Sequence, residues 1–249
     1  MRTNLSRHFD LDEVRRLYKA ELPTPVDVLN CIHFKDQEAY RWYGVLVIPT
    51  LRAVGGRVGW FGVHTTSFAG EPQAEELGVV RYPSQRRFFA LVLNPYYIAV
   101  ANPQRLKAVR KFHASFTHSP CALEPLRRSG WVLALHHRAG TQANRALETL
   151  LDPTGAKLAY HSEETSPIVI AKKSHPANTN PLVYPSTTLF AYPTQEQCEE
   201  AITPGLLNQL KEITGSDISL QLYRRQRRSE ALPRPLLRFL RKASPSSPT

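Results

Sequence analysis

One punctuation mark occurs twice in this chain and constrains its fold more than any other feature. Residues 78–95 read GVVRYPSQRRFFALVLNP, and residues 188–204 read TLFAYPTQEQCEEAITP. In each, a short apolar run with strand character ends at Tyr-Pro, a Ser or Thr stands where a helix cap is needed, and an amphipathic stretch follows. Tyr82-Pro83-Ser84-Gln85 and Tyr192-Pro193-Thr194-Gln195 therefore mark the same strand-to-helix junction in two halves of one chain. An internal repeat limits the fold to two copies of one unit.

The rest of the pattern defines that unit. Val26 to Lys35 reads as a strand, and Asp36 caps a helix carrying Tyr40, Tyr43, Val47, Leu51 and Val54, with Pro49 expected to kink it. Gly55-Gly56 stops that helix. Arg57 to His64 is a second strand, in which Gly59 and Gly62 suggest a bulge or a close approach. Residues 65–76 read as a polar loop, Leu77 to Tyr82 as the third strand, and Val109 to Thr117 as the fourth, after a helical piece that Pro103 interrupts. The order is β-α-β-β-α-β, the ferredoxin-like unit.

In the second half, strands are expected over Trp131 to Arg138, Ala156 to His161, Thr187 to Tyr192 and Ile218 to Tyr223, with a further short run at Ile168 to Lys172. Helices follow Thr141, Thr194 (with Gln197 in a capping box) and Pro204. The expected fold class is α+β: tandem ferredoxin-like repeats forming an intramolecular α/β-barrel pseudo-dimer, because each bare sheet face is covered by packing the two sheets on each other. The expected domains are a helical appendage (1–25), the first repeat (26–118), a linker (119–129), the second repeat (130–225) and a basic tail (226–249).

Composition enters where it excludes. No run approaches the ~18 apolar residues of a membrane span. The stretch MRTNLSRHFDLDEVRR lacks the apolar core of a secretory signal, so a cytoplasmic location is expected. The three cysteines, Cys31, Cys121 and Cys198, form neither a C-x-x-C pair nor a disulfide framework. No phosphate-loop, dinucleotide or nucleophile-elbow motif is present. The charge of +11 is concentrated partly in RRQRR (224–228) and RPLLRFLRK (234–242). That segment suits an anionic membrane surface, an acidic partner or, without a supporting motif, nucleic acid; it equally suits solubility alone.

The first half also resembles a known superfamily, the dimeric α/β-barrel proteins of ferredoxin-like fold. Within it the likeness is greatest to a group of small domains related to antibiotic-biosynthesis monooxygenase-like and EthD-like proteins. The residues that carry it are Leu29-Asn30, Phe34-Lys35, Ala39-Tyr40 with Tyr43, Gly55-Gly56-Arg57, Arg81-Tyr82-Pro83-Ser84, Pro95 with Tyr97, and Arg105, all within 26–118. The resemblance implies a barrel that binds a hydrophobic small molecule. It points to a cofactor-independent monooxygenase, isomerase or cyclase, with no metal, acting on a hydrophobic oxygenated compound. The alternative is a non-catalytic scaffold acting through its basic tail.

Candidate site residues follow from both readings. His64 is a candidate general base, and Arg81 a fork for a carboxylate or enolate. Asn30, Tyr43, Arg57, Tyr97 and Arg105 are candidates for substrate binding. Asn30 reads either as a ligand donor or as a partner for backbone at a strand irregularity. Asn30, Arg81 and Arg105 are expected to face one cavity, since the second half has apolar residues such as Leu133 or Leu135, and Ala191, at the corresponding places.

Overall fold

Both halves of the chain lay down four antiparallel strands, and in the computed structural model these join into one sheet that closes on itself. The structure describes residues 10–168, 179–180 and 182–237. The strands are β1 (Val26–Phe34), β2 (Arg57–Ala69), β3 (Glu76–Tyr82), β4 (Val109–His118), β5 (Trp131–His137), β6 (Lys157–Pro167), β7 (Thr179–Asn180), β8 (Ser186–Tyr192) and β9 (Ser219–Arg225). The helices are α1 (Leu11–Lys19), α2 (Gln37–Ala53), α3 (Gln85–Val92), α4 (Asn102–Ala108), α5 (Glu124–Arg128), α6 (Asn144–Leu151), α7 (Gln195–Ala201), α8 (Pro204–Thr214) and α9 (Arg228–Ala231). Neighbours around the barrel run β1-β3-β2-β9-β5-β8-β6-β4, and β4 returns to β1. All eight pairings are antiparallel, so no long edge is left open. The short β7 pairs with β4.

Two seams join the halves, and both lengthen strands beyond their sequence pattern. β2 runs on to Ala69 because Thr66 and Ala69 pair with Leu222 and Leu220 of β9. β6 runs on to Pro167 because Glu163 to Pro167 pair with β4. The first five residues of the expected polar loop 65–76 are thus β-strand, and Glu76 opens β3. The run expected at Ile168 to Lys172 lies outside the described residues beyond Ile168, which is buried.

Local signals account for most helix starts. Asp10 Oδ1 accepts from the backbone of Asp12 and Glu13, Asp36 Oδ1 from Ala39, and Thr203 Oγ1 from Leu206. Thr194 Oγ1 accepts from Gln197 N, which is half of the expected capping box. Ser84 holds the cap position of α3 but makes no side-chain cap bond. α2 runs through Pro49, where the Val45 carbonyl loses its usual donor. Pro103 does not interrupt its element: it sits in the first turn of α4, where no donor is required. The expected linker 119–129 contains α5, and Leu123 and Leu126 are buried in the barrel interior. Gly59 marks the register shift of β2, and a Cβ on Gly62 would run into the Trp60 indole.

Strand alternation sorts the side chains into two sets. Leu29, Cys31, Trp60, Leu77, Val79, Val132, Ala134, Leu189 and Tyr223 fill the barrel. Val28, Val80, Tyr82 and Ala114 point the other way, toward the helices of the first half. Leu133, Leu135, Phe190 and Leu222 do the same in the second. A buried polar cluster lies on the interior face. Arg81 forks onto Asp27, with Nε to Oδ1 2.7 Å and a terminal nitrogen to Oδ2 2.8 Å. Tyr160 of β6 donates to Asp27 Oδ2 at 2.9 Å, tying the two halves together. All three cysteines are free. Among the described residues no helix is long and apolar enough to cross a membrane.

Two predictions follow from this packing. Asp27→Ala strands the Arg81 guanidinium and the Tyr160 hydroxyl, and should lower unfolding free energy by about 3–5 kcal/mol in a urea titration. His136 and His137 are both buried. Burial pushes their imidazoles down, to about 3 and about 4, and the neighbouring His137 adds to the effect at His136. Both are neutral when folded, so the unfolded chain takes up more protons as the pH falls below the ordinary histidine value. Their contribution is full above pH ~6.5 and is lost as the pH falls toward 4 and then 3. Urea midpoints should drop from pH 7 to pH 4, and replacing both with Gln should make that slope shallower.

Candidate functional site

The first half leaves a cavity of about 320 Å³ between the outer face of its sheet and α2, α4 and the π-helical turn at Tyr97–Ala101. That volume is at the lower end of the ~300–1,000 Å³ range of small-molecule sites. The apolar wall includes Val47, Leu51, Phe88, Leu91 and Val92. The polar groups on it are few: Asn30, Arg41, Glu76, Asn102, Arg105 and Gln226, with the phenols of Tyr40, Tyr43, Tyr82 and Tyr97.

Strand register explains why the cavity lies here and not in the second half. Asn30 is opposite Gly78, and Ile32 is opposite Glu76. Counting back from the shared Tyr-Pro junction, the corresponding pairs on β5 and β8 are Leu135 opposite Thr188 and His137 opposite Ser186. Leu135 and the imidazole of His137 fill that space, and Asn144 of α6 bonds to Thr188, which bonds to His137. In the first half Asn30 is short, and the Phe61 ring, which packs over Gly78, forms part of the cavity wall.

The expected site residues divide among three places. Asn30, Tyr43, Tyr97 and Arg105 line the cavity. Asn30 Nδ2 donates to Val28 O at 2.9 Å and Gly78 O at 3.4 Å, so its amide is anchored to backbone while it lines the cavity; both sequence readings describe it in part. Arg105 Nε donates to Asn102 Oδ1 at 3.0 Å, and its guanidinium lies 5.6 Å from the centroid of the Phe112 ring. Arg81 is elsewhere. It lies in register with Asp27, one residue out of phase with Asn30 and Gly78, so it faces the barrel interior. The expectation that Asn30 and Arg81 share a cavity is therefore overturned by the two-residue period of the strand. The Asp27 carboxylate and the Cys121 carbonyl already occupy Arg81, leaving it no fork for a ligand. His64 does not line the cavity either. Its Nε2 lies 3.0 Å from both Ser67 Oγ and Gln221 Oε1, and its ring packs edge-on to Tyr223. Arg57 is exposed at the start of β2.

Glu76 is the residue that sequence reasoning missed. It is 1% exposed, and burial pushes its carboxyl up to about 8, against a partial downward pull from Arg41 and a further push from Glu230. A signal for it exists in the sequence. Glu76, Gly78, Val80 and Tyr82 alternate with Leu77, Val79 and Arg81, so an acidic residue falls on the helix-facing phase of an otherwise apolar strand. Starting the strand at Leu77 hid it. Gln226 Nε2 donates to Glu76 Oε2 at 2.7 Å, and no sequence signal connects residues so far apart.

The remaining polar groups suit an oxygenated ligand. Burial raises the Tyr40 and Tyr43 phenols well above their usual value, so both stay protonated donors. Arg41 gives one nitrogen to Glu38 at 3.2 Å, while its buried Nε has no partner among the described residues. A protonated carboxyl that titrates near neutral pH can give up a proton and take one back. Among the described residues no three His, Cys, Asp or Glu side chains come together as a metal site.

The basic segment is also redistributed. Arg224 and Arg225 belong to β9, and Arg224 forks onto Glu230 at 2.7 and 3.2 Å. Removal of residues 224–249 would therefore cut into the barrel. Residues 238–242 lie outside the described residues.

No known family model matches the chain, and none of the curated proteins does. Among solved structures it is similar to a protein of unknown function from Rhodopseudomonas palustris, with 21% identity and a TM-score of 0.40 over 43% of this chain and 91% of that one. It is similar to an anthrone oxidase-like protein, with 10% identity and a TM-score of 0.47 over 82% of this chain and 92% of that one. It is also similar to a mutant chlorite dismutase from Candidatus Nitrospira defluvii, with 9% identity and a TM-score of 0.40 over 88% of this chain and 97% of that one. The strand pairing defines the fold.

The buried carboxyl makes a prediction about stability. Glu76 is protonated in the folded chain up to pH about 8 but ionises near 4.5 when unfolded. Its contribution is full below pH 4.5 and is lost as the pH rises through about 8. Glu76→Gln, which keeps shape and neutrality, should match the native protein near pH 4.5 and become progressively more stable than it up to pH 8, in urea titrations across that range.

Proposed function

We propose that the chain is two ferredoxin-like units fused into an intramolecular α/β-barrel pseudo-dimer, and that the first unit is a cofactor-independent enzyme acting on a hydrophobic, oxygenated small molecule. The observation that carries this reading is the apolar cavity of about 320 Å³ with a single deeply buried carboxyl, Glu76, in its wall. Monooxygenase, isomerase and cyclase chemistry of this kind share a first step. A C–H proton beside a carbonyl passes to the Glu76 carboxylate, and the bonding pair moves onto the carbonyl oxygen as an enolate. Tyr40, Tyr43 and Arg105 are the donors in this reading, placed to stabilise that oxygen. Returning the proton to another carbon completes an isomerisation without any co-reactant. Asn30 orients the substrate, and Arg81 and His64 have structural roles in the barrel.

The test uses 2-tetralone, a bicyclic ketone with an enolisable carbon. Deuterium exchange at that carbon, followed by NMR in D₂O with purified protein, should be faster than in buffer. It should fall by roughly 10²-fold or more in Glu76→Gln, the usual contribution of a positioned general base. Gly44 lines the cavity on α2, and an added Cβ there meets nothing. Gly44→Leu should therefore keep or raise the melting temperature while abolishing the ketone's thermal shift. Absence of both a thermal shift and accelerated exchange with the native protein would overturn the reading.

A further inference from the structure

We propose that residues 226–237 form a C-terminal arm that walls the cavity, and that Gln226 on this arm is the positioning residue for Glu76. The inference rests on the reading that this cavity is the functional site. β9 ends at Arg225, whose backbone donates to Gly130 O at 2.7 Å, within the second half. At the next residue the chain changes partner: Gln226 N donates to Phe61 O of β2 at 2.9 Å. The chain thus crosses from the last strand of one half onto the cavity side of the other.

Three contacts hold the arm there. Arg224 forks onto Glu230, and Glu230 Oε2 accepts from Arg227 N at 2.8 Å, which closes the turn into α9. Ala231 and Leu232 then line the cavity. Finally, Arg234 N donates to Glu38 Oε1 at 2.8 Å, on the first turn of α2. Glu38 in turn holds Arg41, which lines the same cavity. A basic tail with only a solubilising role requires none of these contacts.

Gln226 acts through Glu76. A carboxyl in an apolar wall has no fixed orientation unless one oxygen is held. The Gln226 amide holds Oε2 at 2.7 Å. In this proposal Oε1 is the oxygen that exchanges a proton with a bound molecule. Because the amide donates, it favours the ionised carboxylate, and it opposes the burial that favours the neutral acid.

The experiment reads Glu76 directly and needs no ligand, so a failed ligand assay and a failure of this proposal are distinguishable. The side-chain carboxyl of Glu76 is titrated by ¹³C NMR in the full-length protein, with its resonance identified by its loss in Glu76→Gln. Gln226→Leu removes the donor and should raise the Glu76 midpoint by about one pH unit. Gln226→Lys supplies a charged donor and should lower it by a similar amount. Shifts of opposite sign in two folded variants are not the result of a merely structural role. An unchanged midpoint in both, or movement in the same direction, overturns the proposal; if the Leu variant does not fold, the Lys variant decides alone.

Discussion

Closure of two four-stranded sheets, edge to edge, is the constraint on which everything else in this protein depends. A half with four antiparallel strands leaves two edges and one uncovered face. The seams β2–β9 and β4–β6 remove all four edges at once, and the uncovered faces become the filled interior of the barrel. The seams also set strand length, since β2 and β6 continue only where they meet the other half. They direct the chain as well: β9 lies beside β2, so the residues after it reach the first half's helices rather than its own.

Closure also separates two kinds of polar group that look alike in sequence. Charged groups on the interior face are matched by other protein groups, because little solvent reaches them. Asp27, Arg81 and Tyr160 form such a set, charge matched by charge and the third oxygen contact supplied from the opposite half. Helix-facing positions meet a less uniform environment, because helices span the sheet with gaps. There a polar group can remain partly unmatched at a cavity wall. Glu76 and Arg41 are of this second kind: both line the cavity, and the buried Nε of Arg41 has no partner among the described residues. A phase difference of one residue along β3 decides whether a charged side chain braces the barrel or lines the cavity.

The two halves share a junction and a strand order yet differ in what they enclose. The difference comes down to three register positions. Where the first half has Asn30 with Gly78, and Glu76, the second has Leu135 with Thr188, and Ser186. Leu135 packs into the second half's core, whereas in the first half the Phe61 ring covers Gly78 and the cavity opens beside the short amide of Asn30. With one half filled, its packing supports the barrel while the other half tolerates a void and a buried acid, each of which costs stability.

How much of this was legible follows from the range of each interaction. The sequence alone determined the recurring strand-to-helix junction, the order of elements within each half and most helix starts. Those depend on capping, turn chemistry and periodicity, which act over a few residues; Asn30, Tyr43, Tyr97 and Arg105, which line the cavity, were legible as candidates through the resemblance to a known superfamily. Only the tertiary structure decided that Arg81 points inward to Asp27, because a strand's facing is set by which sheet face is covered and not by the residue's own chemistry. Only it extended β2 and β6, since their extra pairs come from strands more than a hundred and about fifty residues away in the chain, respectively. Only it brought Gln226 onto Glu76 across 150 residues, because that hydrogen bond exists solely through the path the chain takes after the barrel has closed.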